Sequence, residues 1–296
     1  SYILRAMTSD GSARITFCDL TDTVRHMAEI HSPSKTMTAV LGRVMCGASL
    51  IGSLLKNKED SLTLRIDGDG PAGKIICVSD YLGNVRICAD HYGVELPPNA
   101  SGKLDVGGAV GRGTLYVIRD LGLAEPYIGS AALVSGEIAE DITNYFAASE
   151  QTPTVCALGV LVNPDLTVRA AGGLFLQLLP YCPDSVVNQV EKAVAALPSV
   201  TAMLSDGLTP ADMLRRLLDG MPFDVLDEYD PVYRCNCSRE RVTRAFYSLK
   251  PEDLASLPDE EGRVEVTCRF CDKVYRFTAD DLARIAADRA AREDAP

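Results

Sequence analysis

The sequence predicts an α+β fold: a β-sheet-rich N-terminal core with helices, a helical linker, and a small C-terminal module built around cysteines. Three observations point there. Short alternating or apolar runs of strand type recur through residue 182 among few helical patterns. Between 183 and 231 the chain breaks into amphipathic helices separated by Pro198, Gly207, Pro210, Gly220 and Pro222. Four of the ten cysteines then fall between Cys235 and Cys271. The expected division is therefore 1–182 for the core, 183–231 for the linker and 232–296 for the terminal module.

In chain order, Val40, Leu41, Val44, Met45, Leu50, Leu54 and Leu55 recur at helical spacing and predict a core helix over Thr36–Lys56, which Gly47 and Gly52 interrupt without ending. Leu62, Leu64 and Ile66 alternate in "SLTLRID"; "KIICVSD" follows, and "LGN" at 82–84 turns the chain into "VRICAD", a β-meander. Further strands are expected at 113–120, 130–137, 155–163 and 167–180. In the linker, "DSVVNQVEKAVAAL" and "PADMLRRLLDG" read as helices, the second opened by Thr209 as N-cap, Pro210 in the first helical position and Asp212 in the first turn. Nine acidic against three basic side chains give this stretch a charge of −6, half of the chain's −12. Short helices carrying such self-repulsion need a surface to lean on, so Val186, Val187, Val190, Val194 and Leu197, with Met213, Leu214, Leu217 and Leu218, are expected to cover the core sheet. The last unit should hold strands at "VEVT" and "VYRF" and a helix capped by Thr278 with Asp281 three residues on.

Composition narrows the function. With 47% hydrophobic residues the chain can bury a large core, and 41 acidic against 29 basic residues repel phosphate backbones and anionic membranes, so neither nucleic acid nor membrane is an expected partner. Val44–Leu55 is too short an apolar run to cross a bilayer, and no basic segment leads into an apolar one near Ser1; the expectation is a cytoplasmic protein. In a reducing compartment clustered cysteines favour metal or redox chemistry over structural disulfides. "HMAEIH" sets His26 and His31 about 140° apart round a helix, unlike a metalloprotease pair. "VGGAVGRGTL" fits no dinucleotide or phosphate-loop pattern, and three histidines assemble no nucleophilic triad, so no enzyme activity is predicted.

Cys235 and Cys237 form C-x-C, and after thirty intervening residues Cys268 and Cys271 form C-x-x-C. Two close pairs of thiolates suit one tetrahedral Zn²⁺ per chain, a closed shell with no place left for a catalytic water. A module of roughly 60 residues has too small a core to fold unaided, and zinc binding worth on the order of 10 kcal/mol could fold it. Three uses stay open: a static structural zinc site, a thioredoxin-like thiol pair, and a redox-sensitive zinc centre. The second wants C-x-x-C at a helix N-terminus, whereas a strand follows here. For the third, C-x-C is strained as a disulfide but suited to metal, and Arg234, Arg239, Arg241 and Arg244 crowd the pair and favour thiolate. Cys18, Cys46, Cys77, Cys88, Cys156 and Cys182 sit in apolar surroundings as small buried hydrophobes.

"GTLYVIRDLGLAEPYIG" (113–129), "VSGEIAEDITNYFAASEQTPT" (134–154), "GGLFLQLLP" (172–180), "CNCSRERV" (235–242) and "CRFCDKVYRF" (268–277) together resemble the heat shock protein 33 family of redox-regulated chaperonins. The resemblance implies an ATP-independent holdase that binds unfolded client proteins under oxidative stress. It implies that Cys235, Cys237, Cys268 and Cys271 hold zinc in a silent reduced state, and that peroxide with heat, or hypochlorite, converts each close pair to a disulfide. Metal then leaves, module and linker unfold, and the active chain forms a homodimer. The six core cysteines lie outside that family's switch, and Cys156 or Cys182, near the linker, could add redox chemistry of their own. The other readings are a zinc-binding interaction protein without redox switching and a disulfide oxidoreductase.

Overall fold

Alternation along the chain becomes alternation across a sheet. In β3 (Ser61–Gly68), Leu62, Leu64 and Ile66 are buried while Thr63 and Arg65 between them are only half so. This strand pairs on one side with β4 (Lys74–Asp80) and on the other with β6 (Gly113–Asp120); β5 (Val85–Ala89) and β7 (Tyr127–Ala132) form the edges of the antiparallel order β5-β4-β3-β6-β7. A second five-stranded antiparallel sheet runs β10-β1-β2-β9-β8, from β1 (Tyr2–Thr8), β2 (Ala13–Asp19), β8 (Thr154–Val162), β9 (Val168–Leu178) and β10 (Phe223–Tyr229). The structure, a computed structural model, describes residues 1–293, and these divide into two units, Ser1–Arg234 and the chain from Cys235 onward.

The expected core helix is α2 (Lys35–Gly52), capped by the Ser34 hydroxyl, which accepts the Met37 N–H. It packs on β8 and β9 of one sheet and on β3 and β4 of the other, and it is buried nearly all round. Its two glycines allow that closeness: a Cβ at Gly47 would lie 2.6 Å from Ile142, and one at Gly52 would lie 2.2 Å from the Ser79 hydroxyl. α1 (Thr21–His31) precedes it. The glycine run at 106–114 contributes α3 (Val106–Val110), a single turn capped by Asp105, and binds no phosphate-loop geometry.

One expected strand is shorter than its sequence. Residues 130–137 read as a strand, but β7 ends at Ala132 and the chain turns into α4 (Ala139–Ala148). The cause is Asp141, 1% exposed, whose carboxylate accepts the backbone N–H groups of Val134, Ser135, Gly136 and Ile138 at 2.7 to 3.3 Å. A carboxylate satisfied by four amides holds the loop in place of a sheet ladder.

The segment 183–231 packs on the outer face of the β1/β2/β9 sheet. α5 (Asp184–Ala196) is mostly exposed and sends only Val190 fully under cover. α6 (Val200–Ser205) and α7 (Pro210–Leu217) are better seated: Val200, Met203, Met213, Leu214, Leu217 and Leu218 meet Leu4, Ile15, Phe17, Leu174 and Leu176. Thr209 and Asp212 make the reciprocal capping bonds expected of them. β10, in a stretch where the sequence predicts a helical linker, pairs antiparallel with β1. Tyr233 then closes the unit, its hydroxyl donating to the Ile87 carbonyl and accepting the Ile87 N–H.

From Cys235 on, α8 (Arg239–Phe246), α9 (Pro251–Ala255), the hairpin β11 (Arg263–Thr267) and β12 (Val274–Thr278), and α10 (Ala279–Glu293) surround a small core. It holds Phe246, Leu254, Val264, Tyr275, Phe277, Leu282 and Ile285, with Phe246 edge-on to Phe277 at 4.9 Å. Thr278 and Asp281 cap α10 as expected. Among the described residues no helix is long and apolar enough to cross a membrane.

Replacing Asp141 by Ala takes the acceptor from the buried amides of Gly136 and Ile138 and from the partly buried ones of Val134 and Ser135, so Asp141→Ala should cost about 3 kcal/mol, and Asp141→Asn, which keeps an acceptor oxygen, distinctly less. The measurement is the urea midpoint of far-UV circular dichroism on the reduced chain; equal midpoints for wild type and Asp141→Ala would contradict this role.

Candidate metal centre

Two local structures present the four sulfurs. At the end of the β11/β12 hairpin, Cys268 donates its N–H to the Lys273 carbonyl, and its own carbonyl accepts the N–H groups of Cys271 and Asp272, with Asp272 in the left-handed region at φ 55°. This tight turn puts Cys268 and Cys271 on one side and turns the Lys273 N–H towards the Cys271 sulfur. The other pair follows an extended path, Cys235-Asn236-Cys237, ending at Ser238, whose hydroxyl caps α8 by accepting the Arg241 N–H. Within it the Cys237 N–H faces the Cys235 sulfur. Backbone amides aimed at sulfur stabilise its anionic form, the form a metal needs.

The four Sγ atoms all lie within 4.8 Å of one another, Cys235 to Cys268 at 3.7 Å and Cys237 to Cys271 at 3.4 Å. Zinc–thiolate bonds of about 2.3 Å in a tetrahedron imply sulfur separations of about 3.8 Å, so the donor set and its spacing fit that ion. No sulfur is bonded to another. All four residues are half-buried, which leaves the site open to small reagents.

Acidity is uneven across the cluster. At Cys237 desolvation raises the thiol, but hydrogen bonds from the Tyr275 hydroxyl, 3.1 Å away, and from the neighbouring cysteines outweigh it and bring it down to about 7. Desolvation dominates at Cys235 and Cys271 and pushes both up. None of the arginines is among the principal influences on the Cys235, Cys237 and Cys271 thiols. Arg239 lies over the Phe277 ring at 4.1 Å, donates to the Arg276 carbonyl and pairs with Asp281 at 3.1 Å, while Arg241 and Arg244 are exposed. Arg234 ends the first unit, its N–H on the Val85 carbonyl. The residue that sequence reasoning passed over is Tyr275; its position on β12, opposite Val266, brings the hydroxyl to Cys237, and no local spacing signals that.

The other cysteines stand apart. Cys18, Cys46, Cys77 and Cys88 are buried in the first unit. Desolvation pushes the Cys18, Cys77 and Cys156 thiols well up, Cys18 with a further hydrogen bond to Cys46, so they persist as unreactive thiols. Cys182 is half-buried with its thiol 3.8 Å from the Pro183 carbonyl.

Comparison with known proteins matches the same span. The family model for "Hsp33 protein" covers residues 1–278. The chain is 43% identical over 284 residues to the 33 kDa chaperonin of Lachnoclostridium phytofermentans, covering 96% of this chain and 97% of that one. It is 43% identical over 285 residues to the 33 kDa chaperonin of Clostridioides difficile, covering 96% and 98%. The crystal structure of the 33 kDa chaperonin (heat shock protein 33 homolog) of Thermotoga maritima superposes with a TM-score of 0.90 at 34% identity, covering 98% of this chain and 99% of that one.

Removing the tyrosine hydroxyl removes a donor to sulfur. With the module folded on its metal, that hydrogen bond orients and supports one ligand sulfur, so Tyr275→Phe should weaken zinc binding by the reduced protein about tenfold. Competition with a chromophoric chelator reads this directly, and an unchanged affinity would remove Tyr275 from the account.

Proposed function

This chain belongs to the Hsp33 family, and from that membership we propose that it is a redox-regulated, ATP-independent holdase, silent with zinc bound and active once oxidised. The observation that carries this reading is the convergence of Cys235, Cys237, Cys268 and Cys271 in a unit whose own core is seven buried residues. Bound zinc would supply on the order of 10 kcal/mol of folding free energy there. The chain's part is to hold the four sulfurs together and to place donors against three of them: the Cys237 amide at Cys235, the Lys273 amide at Cys271 and the Tyr275 hydroxyl at Cys237.

Oxidation removes that arrangement at its source. Each disulfide, Cys235–Cys237 and Cys268–Cys271, forms as two thiols give up two protons and two electrons to peroxide, which leaves as two waters. A sulfur committed to a disulfide no longer offers the thiolate, so the module loses its staple and its small core melts. Cys235 follows directly on the segment that carries β10 and Tyr233, so disorder in the module frees the C-terminal tether of residues 183–231. That segment is acidic and its first helix is mostly exposed. Its release uncovers Leu4, Ile15, Phe17, Leu174 and Leu176, an apolar face for unfolded client proteins in the cytoplasm. The oxidised chain acts as a homodimer. Holding a client makes and breaks no client bond, and chaperonins of this kind are not enzymes.

Zinc release, far-UV circular dichroism and client light scattering, followed on one peroxide-treated sample, should change together. Zinc lost without any gain in aggregation suppression would leave a static zinc module instead. Cys268→Ser, read by zinc content and by holding activity under reducing conditions, should lose tight metal binding and redox control together; survival of both would unseat the ligand assignment.

A further inference from the structure

β10 is an unusual strand to find at the edge of a sheet. Of its side chains none is fully buried, and Val225 and Leu226 stand 49% and 44% exposed. It carries Asp224, Asp227 and Glu228 and is followed by Asp230. What holds it is the ladder to β1, in the register Leu4 to Glu228 and Ala6 to Val225 with a shift between Arg5 and Ala6, the half-buried rings of Phe223 and Tyr229 at its two ends, and polar side-chain contacts. Arg5 pairs with Asp227 at 2.9 Å and reaches the Tyr229 hydroxyl at 3.4 Å, and the Ser9 hydroxyl donates to Asp224 at 2.9 Å.

β1 is the opposite. Ile3, Leu4, Ala6 and Thr8 are buried, it contains no proline, and Arg5 is its single charge. Arg5 is 14% exposed, with a buried Nε that has no hydrogen-bond partner. Without β10, this strand would be a long flat edge with unpaired N–H and C=O groups, the template that proteins usually guard. Leu4 and Ala6 also belong to the face covered by α6 and α7, so the edge and the apolar face become continuous when 183–231 departs.

We propose that β10 is an intramolecular stand-in for client, and that the edge of β1 binds an extended client segment as an added strand, with Arg5 selecting a carboxylate on it. The proposal rests on the holdase reading and adds where and how the client is held. Main-chain ladder bonds make such binding tolerant of sequence, alternate client side chains fall on the uncovered Leu4/Ala6 face, and the guanidinium sets register. The acidity of β10 fits its two duties: it satisfies Arg5 while docked, and it keeps the released strand from pairing with its own kind.

The test uses full-length peroxide-treated protein and a fluorescent peptide of residues 222–230. The peptide should bind the oxidised chain and not the reduced one, and compete with an unfolded client in light scattering. The same peptide with Asp227→Lys should bind about tenfold more weakly to wild type, and this preference should reverse on an Arg5→Glu chain. Failure of the peptide to bind a sample that does suppress aggregation overturns strand addition and leaves the holdase reading standing. Loss of aggregation suppression itself overturns the holdase reading and this one with it. A peptide that splits dimers yet leaves client holding unchanged would assign the edge to a second copy and overturn its assignment to client.

Discussion

Four sulfurs held within 4.8 Å of one another cannot all be thiolates without a cation among them. At an effective dielectric of 20, two unit charges 4 Å apart repel by about 4 kcal/mol, and every pair in the cluster contributes. Protons, a metal ion or covalent S–S bonds can each relieve that repulsion, and each has a different consequence for the chain around it. A metal pulls the C-x-C loop and the hairpin turn to one point; disulfides within each pair leave the two loops with no reason to meet. In the switch proposed above, the C-terminal unit passes between those states, because its small core is too slight to hold it alone.

The segment 183–231, the last stretch of the first unit, is unevenly seated. α7 is seated as firmly as any core helix, with Met213, Leu214 and Leu217 at 2% exposure or less, whereas α5 offers one fully buried valine and β10 none. Its −6 charge resists compaction throughout. Apolar burial under α6 and α7 therefore works against electrostatic repulsion and the weak docking of α5. The C-terminal end is tied by polar bonds instead: the β1 ladder, the Val232 N–H on Asn84 and the Tyr233 hydroxyl on Ile87.

How much of this can be read from sequence depends on whether the signal is local. The meander of β3, β4 and β5 shows in alternation because one face of that sheet is covered more completely than the other. The four cysteines are visible because metal ligands come in short-spaced pairs, and the Thr209 capping box because helix starts are written in four residues. β1 is hidden because both faces are covered: Ile3 and Leu4 are adjacent and both buried, so polarity does not alternate. β10 is hidden because its strand form is imposed by the unpaired edge of β1 rather than by its own acidic residues. Asp141 and Tyr275 act through groups that only the folded chain brings to them. Arg239, two residues from Cys237, is engaged by the Phe277 ring, the Arg276 carbonyl and Asp281, partners that sequence spacing does not show.

Strand order also governs how the chain is made. β1 and β2 are neighbours at the start of the sequence, yet Thr16 pairs with Phe175, and β1 is flanked on its other side only by residues near 225. On the ribosome the first hairpin must wait, apolar on both faces, until β9 has emerged to pair with β2. During that interval the nascent protein displays much the same surface that its finished form conceals, so for part of its own synthesis it is itself a candidate for another chaperone's care.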